Sequence, residues 1–320
     1  MIAKRYTLCH RRRSAWRRAW PTACVFALSA CQDAPADAVR ALENSPTGKA
    51  RDERLQEALA GRDSMLASDS ALARWVLPNA LAEISGLALT RDGRLLVHGD
   101  ERGQVWEVDY RRGILVKRFS LATDEGVAKA DFEGIAVVGD VVWMLAANGR
   151  LFEFKEGADG EKVAFRMHDP GLKKTCEFEG LAYDAAVNAL VLACKNIYAK
   201  ADRHSVVLYR WNLGKDVSER LTRLAVPVAS VAGANGWTAL QISDITVDPD
   251  NGNYVLIASK EKALITMTPT GAPVSAGPLP GDHDQPEGVA VVRNSLLLVS
   301  DEAAKGPAVL TLYRWPSIMD

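Results

Sequence analysis

Hydrophobic positions beyond residue 70 follow one pattern of short strands that recurs along the chain. The pattern opens with a short strand of the type acid-Gly-aliphatic-Ala, which three of the five repeats have in full. A continuous apolar strand follows, and then a strand in which apolar and polar residues alternate. The openings centre on positions that lie 48, 46, 65 and 43 residues apart: Gly86, Gly134, Gly180, Ile245 and Gly288. Four short strands in about 45 residues is the size of one propeller blade.

The second and third strands of each repeat differ in their patterning. Second strands are continuous apolar runs, as expected for strands buried on both faces: 94–98, 141–145, 190–194, 254–259 and 296–300. Third strands alternate, as expected for half-buried strands: 104–109, 150–154, 205–211, 264–267 and 309–314. Tight turns such as Arg91-Asp92-Gly93 separate the strands. The longest step carries an extra loop over about residues 212–240.

The fifth repeat has three strands up to Trp315, and a strand at 72–77 precedes the first repeat without a partner of its own. We expect this N-terminal strand to complete the last blade, because closure of the ring removes exposed sheet edges. The sequence therefore predicts an all-β fold, a five-bladed β-propeller closed by an N-terminal strand, over residues 71–320.

The repeat places an acidic residue at the start of four inner strands: Glu133, Glu179, Asp244 and Glu287. Ser85 takes this place in the first repeat. Inner strands line the propeller axis, so these side chains are expected to converge. The second strand returns antiparallel, which brings further polar residues to the same end of the channel: Asp100, Glu101, Asn148, Lys195, Asn196, Lys260, Glu261, Asp301 and Glu302. One mouth of the channel is thus predicted to be a ring of carboxylates with two lysines.

Carboxylates that converge on an axis repel one another and favour binding of protons or a cation. Oxygen ligands without His or Cys favour a hard ion, Ca²⁺ before Mg²⁺. The predicted calcium ligands are Glu133, Glu179, Asp244, Glu287, Asp301 and Glu302. The alternative is that the acids only cap blade turns or pair with Lys195 and Lys260.

The Phe-Glu-Gly-Ile/Leu-Ala openings at Phe132 and Phe178 and the segment Gln285-Pro286-Glu287-Gly288 resemble the SdiA-regulated β-propeller family. The resemblance covers about residues 72–315. It implies a five-bladed propeller, an exported location, a bound calcium ion and links to calcium homeostasis, with a suggested phytase-like activity. The sequence departs from the motif at Ser85 and at Asp244-Ile245, so a less symmetric ring is expected here.

Three functional hypotheses follow from these residues. In the first, the protein is a calcium-binding module of calcium homeostasis, with a small-molecule or protein ligand at the channel mouth. In the second, a metal-dependent hydrolase of the phytase or lactonase type uses the same ring to activate water. This enzyme would need cationic side chains such as Lys195 and Lys260 to bind phosphate, and it would also need a general base. His283 is a candidate base, although a solvated loop histidine is the simpler interpretation. In the third, the propeller is a partner-binding platform without metal.

The first thirty residues have a different character from the rest of the chain. Their seven charged side chains are all basic, and an apolar stretch over 19–30 follows, too short to span a bilayer as a helix. Leu28-Ser29-Ala30-Cys31 resembles a bacterial lipobox, which implies lipidation of Cys31 and an anchor in a membrane. An ordinary cleaved signal or an uncleaved anchor are the alternatives. We predict a signal peptide (1–30), a flexible or partly helical linker (31–70) and a location facing the periplasm, on the outer membrane rather than the inner.

Charge and cysteine content take on a new meaning once these segments are separated. The whole chain has 39 basic and 40 acidic residues, but without residues 1–30 it has 32 basic against 40 acidic, a net charge of −8. This balance gives no reason to expect a nucleic-acid partner. A monomer is expected. Cys176 and Cys194 flank the first two strands of the third repeat, so they are predicted either to form a disulfide in an oxidising compartment or to be two buried thiols.

Overall fold

A computed structural model describes residues 71–232, 235–293 and 296–315. The predictions about the signal peptide, the lipidation of Cys31 and the linker all fall on residues 1–70, outside the described residues. Within the described ranges, none of the helices has the length and apolar character needed to cross a membrane.

The described chain forms five sheets, the predicted five blades, in which all strand pairs but one are antiparallel. Strand β1 (Ala73–Val76) precedes the first blade, which consists of β2 (Ile84–Leu89), β3 (Leu95–Gly99), β4 (Gln104–Asp109) and β5 (Ile114–Thr123). Two short strands extend this sheet next to β5: β6 (Gly126–Val127) and β10 (Lys162–Val163), which pairs parallel with β5. The second blade consists of β7 (Phe132–Val138), β8 (Val141–Ala146), β9 (Leu151–Lys155) and β11 (Phe165–His168).

The third and fourth blades follow the same order from the inside outward. The third contains β12 (Cys176–Asp184), β13 (Ala189–Ile197), β14 (Ser205–Asn212) and β15 (Leu221–Pro227). The fourth contains β16 (Ile242–Val247), β17 (Tyr254–Ala258), β18 (Ala263–Met267) and β19 (Pro273–Pro278). Between these blades lies a short helix, α1 (Val228–Ala232); single-turn 3₁₀ helices occur at Asn79–Leu81, Lys200–Asp202 and Val217–Glu219. The region predicted as an extra loop therefore holds the outer strand of blade three and α1.

The fifth blade is closed by the two ends of the described chain, as predicted. It consists of β20 (Pro286–Val292), β21 (Leu296–Asp301) and β22 (Val309–Arg314), with β1 as its outer strand. β1 pairs antiparallel with β22, and Trp75 lies opposite Leu310. This pairing occupies an edge of β22 that would otherwise offer unpaired backbone groups.

The apolar core consists of five clusters, each of which lies between two neighbouring blades. Phe119 of blade one packs with Phe154 of blade two, for example, and Val255 of blade four with Val289 of blade five. Both faces of the second strands are buried this way, which explains their continuous apolar sequence. Since each cluster needs two sheets, the blades stabilise one another as a ring.

Candidate cation site at one end of the propeller axis

Each inner strand carries a β-bulge at the same place in its blade. The pairing of inner and second strands skips one residue in every repeat: Ser85, Glu133, Glu179, Ser243 and Glu287. A bulge bends the strand and re-aims the extra side chain. The bulges therefore set the direction of three glutamates and two serines at one end of the axis.

The prediction that Asp244 stands at the repeated acidic position is wrong by one residue. Asp244 pairs with Ile257 and occupies the position that glycine has in the other blades, whereas Ser243 is the bulge residue. The Asp244 carboxylate is 1% exposed and accepts hydrogen bonds from the backbone N–H of Ile245 at 2.8 Å and of Val289 at 2.7 Å. Burial raises its pKa well above the usual range. The bond from Val289 joins blade four to blade five, which points to a structural role for Asp244.

The glycines after the bulges allow neighbouring inner strands to approach closely. A β-carbon on Gly134 would lie 2.7 Å from the backbone nitrogen of Leu181, and one on Gly180 would lie 2.7 Å from that of Ile245. A β-carbon on Gly288 would instead meet side-chain atoms, those of Leu87 in blade one and of Ser300 in its own blade. Only a residue without a side chain fits such contacts. We call Gly86, Gly134, Gly180 and Gly288 the glycine layer.

Three glutamates and one lysine meet beside the glycine layer; Glu179 and Glu287 are buried, and Glu133 is partly buried. The Nζ atom of Lys195, on β13, lies 3.2 Å from Oε1 of Glu179 and 4.0 Å from Oε2 of Glu287. The carboxyl groups of Glu133 and Glu179 are close enough to interact electrostatically, and the Ser85 hydroxyl lies 3.4 Å from Oε2 of Glu133. We call Glu133, Glu179, Glu287 and Lys195 the axial cluster.

The electrostatics of the axial cluster follow from burial and crowding. Burial, together with the Glu179 and Asp131 carboxylates, raises the pKa of Glu133 to about 10. Burial and Glu287 raise the pKa of Glu179 to about 7, although the Lys195 ammonium opposes the shift. Burial also raises the pKa of Glu287, again opposed by Lys195. One ammonium thus serves three carboxyl groups, and the cluster favours retention of a proton or uptake of a cation.

The raised pKa values predict that stability falls as pH rises, because the folded protein keeps protons that the unfolded chain releases near pH 4.5. In the presence of a calcium chelator, the free energy of unfolding should decline from about pH 5 through about pH 10. Glu133→Gln should remove much of this decline and raise stability at pH 8 by about 2 kcal/mol. Urea unfolding at several pH values measures both effects. Exposed Glu125→Gln is the control, and an unchanged pH profile in Glu133→Gln would contradict the prediction.

The structure does not bring Asp301, one of the predicted calcium ligands, into the axial cluster. Its Oδ2 atom lies 2.6 Å from Nδ1 of His283, and its Oδ1 accepts the N–H of Gln285 at 3.1 Å. The His283 side chain is only 1% exposed, and its Nε2 contacts the Tyr313 hydroxyl at 2.9 Å. His283 is therefore neither a solvated loop residue nor an accessible base at the mouth.

Glu302 and the lysines near this end of the axis differ in burial and in their distance from the axial cluster. Burial and the carboxylate of Glu287 raise the pKa of Glu302 to about 6, so Glu302 lies within electrostatic reach of the axial cluster. Lys260 is exposed, whereas Lys195 is three-quarters buried between acids. The Lys262 ammonium, which the sequence analysis did not single out, opposes the rise in the pKa of Glu287. Lys262 has a backbone φ of 50°, a conformation that is rare outside glycine and that its sequence context does not predict.

The donor chemistry of the cluster fits a hard cation, but its arrangement is not a finished cage. Among the described residues, no three His, Cys, Asp or Glu side chains are placed to hold one metal ion together. The Lys195 ammonium occupies the place in which such an ion would neutralise the charges of Glu179 and Glu287. The Oε2 atom of Glu287 is buried without a hydrogen bond, which leaves an oxygen lone pair directed at this space. An ion could bind if the ammonium moved aside.

A disulfide joins Cys176 and Cys194 in the blade that carries Glu179 and Lys195. The Sγ atoms are 1.97 Å apart and the Cα atoms 5.7 Å apart. The two cysteines are not direct partners in the ladder, since Cys176 pairs with Ile197 and Cys194 with Phe178. The bond links the ends of β12 and β13 where the bulge at Glu179 interrupts their pairing.

Comparisons with known proteins give one family match and several distant likenesses. Residues 223–314 match the model of the SdiA-regulated family. Over 92 residues, 28% of this chain and 31% of the relative, the chain is 35% identical to an S-adenosylmethionine decarboxylase proenzyme of Alkaliphilus metalliredigens (strain QYMF). The chain thus spans about a third of the length of that curated protein.

Solved structures with a similar chain path include two bacterial proteins. A PQQ-bound aldose sugar dehydrogenase from Streptomyces coelicolor is 14% identical, covers 75% of this chain and 98% of its own, and gives a TM-score of 0.49. Glutaminyl cyclase from Myxococcus xanthus is 15% identical, with 77% and 97% coverage and a TM-score of 0.49. Together, the match over residues 223–314 and the five-bladed β-propeller confirm the resemblance to the SdiA-regulated propeller family.

Proposed function

We propose that the protein is a binding module that takes a hard divalent cation, Ca²⁺ in the first place, at the axial cluster. The observation that carries the proposal is that one ammonium, that of Lys195, lies between the buried carboxyl groups of Glu179 and Glu287, within electrostatic reach of Glu133, while Oε2 of Glu287 has no hydrogen bond. Buried charges are stable only when they are paired, and a divalent ion would supply the missing positive charge. Oxygen donors alone favour Ca²⁺ or Mg²⁺ over transition metals.

Glu133, Glu179 and Glu287 are the proposed ligands, with Glu302 as a further carboxylate at the rim. Asp244 and Asp301 are excluded, because backbone N–H groups and His283 already occupy their oxygens. Cation binding then requires withdrawal of Lys195, whose side chain is 24% exposed and can extend towards solvent. The affinity of the site therefore depends on competition between the ion and this ammonium.

The setting of this function is also a proposal. A signal peptide and a lipidated Cys31 would tether the propeller to a membrane facing the periplasm, the outer one in the first place. The disulfide between Cys176 and Cys194 supports an oxidising compartment. A calcium-binding module there could contribute to calcium homeostasis, with a small-molecule or protein ligand at the mouth. We propose that it acts as a monomer.

Two contacts weigh against the hydrolase alternative. Lys195, the basic residue of the axial cluster, is engaged by Glu179 and Glu287 and is not free for a phosphate group. His283 is buried and bonded at both ring nitrogens, so it cannot reach a water molecule at the mouth. We therefore favour binding over catalysis.

Calorimetry with Ca²⁺ on the purified full-length protein tests the proposal. We expect one binding event in the wild type and a loss of at least about a hundredfold in affinity in Glu133→Gln with Glu179→Gln, since two anionic ligands are removed. Glu125→Gln with Glu219→Gln removes the same charge at exposed positions and should bind as the wild type does. Unchanged affinity in the first double variant would refute the site. Turnover of phosphate esters or lactones that disappears in that variant would favour the enzyme instead.

A further inference from the structure

The opposite end of the axis holds a cavity of a different chemical character. Its volume is about 490 Å³, and residues from the inner strands of all five blades line it. Leu87, Ile135 and Leu181 line its inner part and are almost completely buried. Nearer the opening lie partly exposed aliphatic side chains, among them Val137 and Val247. Cavities of about 300–1,000 Å³ with mainly apolar walls are typical of small-molecule sites.

The glycine layer separates this cavity from the axial cluster. Along the inner strands of blades one to three, the bulge residue comes first, the glycine second and the buried lining residue third, as in Glu179, Gly180 and Leu181. At Gly134 and Gly180 the strands leave no room for a β-carbon. The two ends of the axis can therefore bind different ligands, and a change at one end should leave the other unaffected.

The charges around the cavity are basic. Arg91 and Arg293 are among the lining residues described, and no Asp or Glu is among them. Arg293 lies 3.7 Å from Asp250, while the neighbouring Asp92 is engaged by Arg94 and Thr90. The Arg91 side chain is exposed and has no ion pair with any described residue. An anionic group at the opening would be attracted, whereas a cationic group would be repelled.

We propose that this cavity binds small amphiphilic anions, with the apolar body against the aliphatic wall and the anionic group beside Arg91. The aliphatic wall supplies most of the binding free energy by removing apolar surface from water. The arginine supplies the preference for charge and fixes the orientation of the ligand. The site is independent of the proposed calcium site.

Calorimetry with decanoate on the purified full-length protein, below the micellar concentration, tests the proposal. We expect saturable one-to-one binding that Ca²⁺ does not alter, and binding of decyltrimethylammonium at least about tenfold weaker. Arg91→Glu should weaken the binding of decanoate about fivefold or more and reduce the difference in affinity between decanoate and decyltrimethylammonium. The effect is modest because an exposed charge contributes little to binding. Arg166→Glu makes the same charge reversal on the exposed outer strand of blade two and should have no effect.

Val137→Asp is a second variant, which places a carboxylate in the aliphatic wall and should abolish decanoate binding. Three outcomes would overturn the proposal: no saturable binding of decanoate, equal binding of the two probes, or identical behaviour of Arg91→Glu and Arg166→Glu. If the wild type does not bind decanoate and Val137→Asp changes the oligomeric state, the surface is a protein interface, and the proposal is refuted as well.

Discussion

Replacing Lys195 by methionine should raise the affinity of the protein for Ca²⁺ about a hundredfold, or about 2.7 kcal/mol. The ammonium lies 3.2 Å from Glu179 and 4.0 Å from Glu287, in the space that a bound ion would need. At an effective dielectric constant near 20, unit charges 4 Å apart interact by about 4 kcal/mol. A bound divalent ion would be repelled by this ammonium unless the lysine side chain moved away. Methionine removes this repulsion and keeps much of the side-chain volume.

Calorimetry of Lys195→Met against Lys260→Met measures this effect. Lys260 is exposed just after the second strand of blade four, one residue beyond the position that corresponds to Lys195, so its removal should leave the calcium affinity unchanged. Without calcium, Lys195→Met should also be less stable than the wild type, because two buried carboxyl groups lose their counter-ion. Unchanged or lower calcium affinity in Lys195→Met would show that the lysine does not compete with the ion. Lost turnover of a phosphate ester in the same variant would make Lys195 a substrate-binding residue.

Gly180→Ala should lower the free energy of unfolding by about 4 kcal/mol, a large effect for one methyl group. The new β-carbon would lie 2.7 Å from the backbone nitrogen of Ile245 and 2.9 Å from the Cα atom of Asp244. These are backbone atoms of the next blade, which cannot rotate away as a side chain could. Blades three and four would have to separate, at the expense of the apolar cluster between them.

The matched control for this steric effect is Gly277→Ala, in the outer strand of blade four, where a β-carbon would meet no atom within 4 Å. Chemical unfolding of both variants at one pH gives the comparison. Gly277→Ala should stay within about 1 kcal/mol of the wild type or gain stability, since alanine restricts the unfolded chain. A similarly small change in Gly180→Ala would contradict the close packing of the inner strands.

The blade plan could be read from the sequence because strand patterning is local. Continuous apolar runs such as 190–194 and alternating ones such as 205–211 report burial on two faces or one, whatever their neighbours are. The unpaired strand before the first repeat likewise predicted closure with the last, and β1 does pair with β22. Glu133, Glu179 and Glu287 could be found the same way, because they recur at one position in the repeat.

What the repeat could not reveal is the register within a blade and the partners across the ring. Alignment on the acid put Asp244 beside the glutamates, whereas the bulge in β16 puts Ser243 there and turns Asp244 towards the N–H groups of Ile245 and Val289. His283 and Asp301 pair across 18 residues, which removes both from the predicted mouth. Lys195 and Lys260 both directly follow the predicted second strands of their repeats, yet only Lys195 enters the axial cluster.

The sequence by itself determined the number of blades, their closure and the acidic character of one mouth, because each depends on the residue types at regularly spaced positions. Only the tertiary structure decided which acids share the axis, which lysine neutralises them and where the basic apolar cavity lies. Those features depend on contacts between strands of different blades, and a shift of one residue at a bulge changes the direction of a side chain without changing the pattern that predicts the strand.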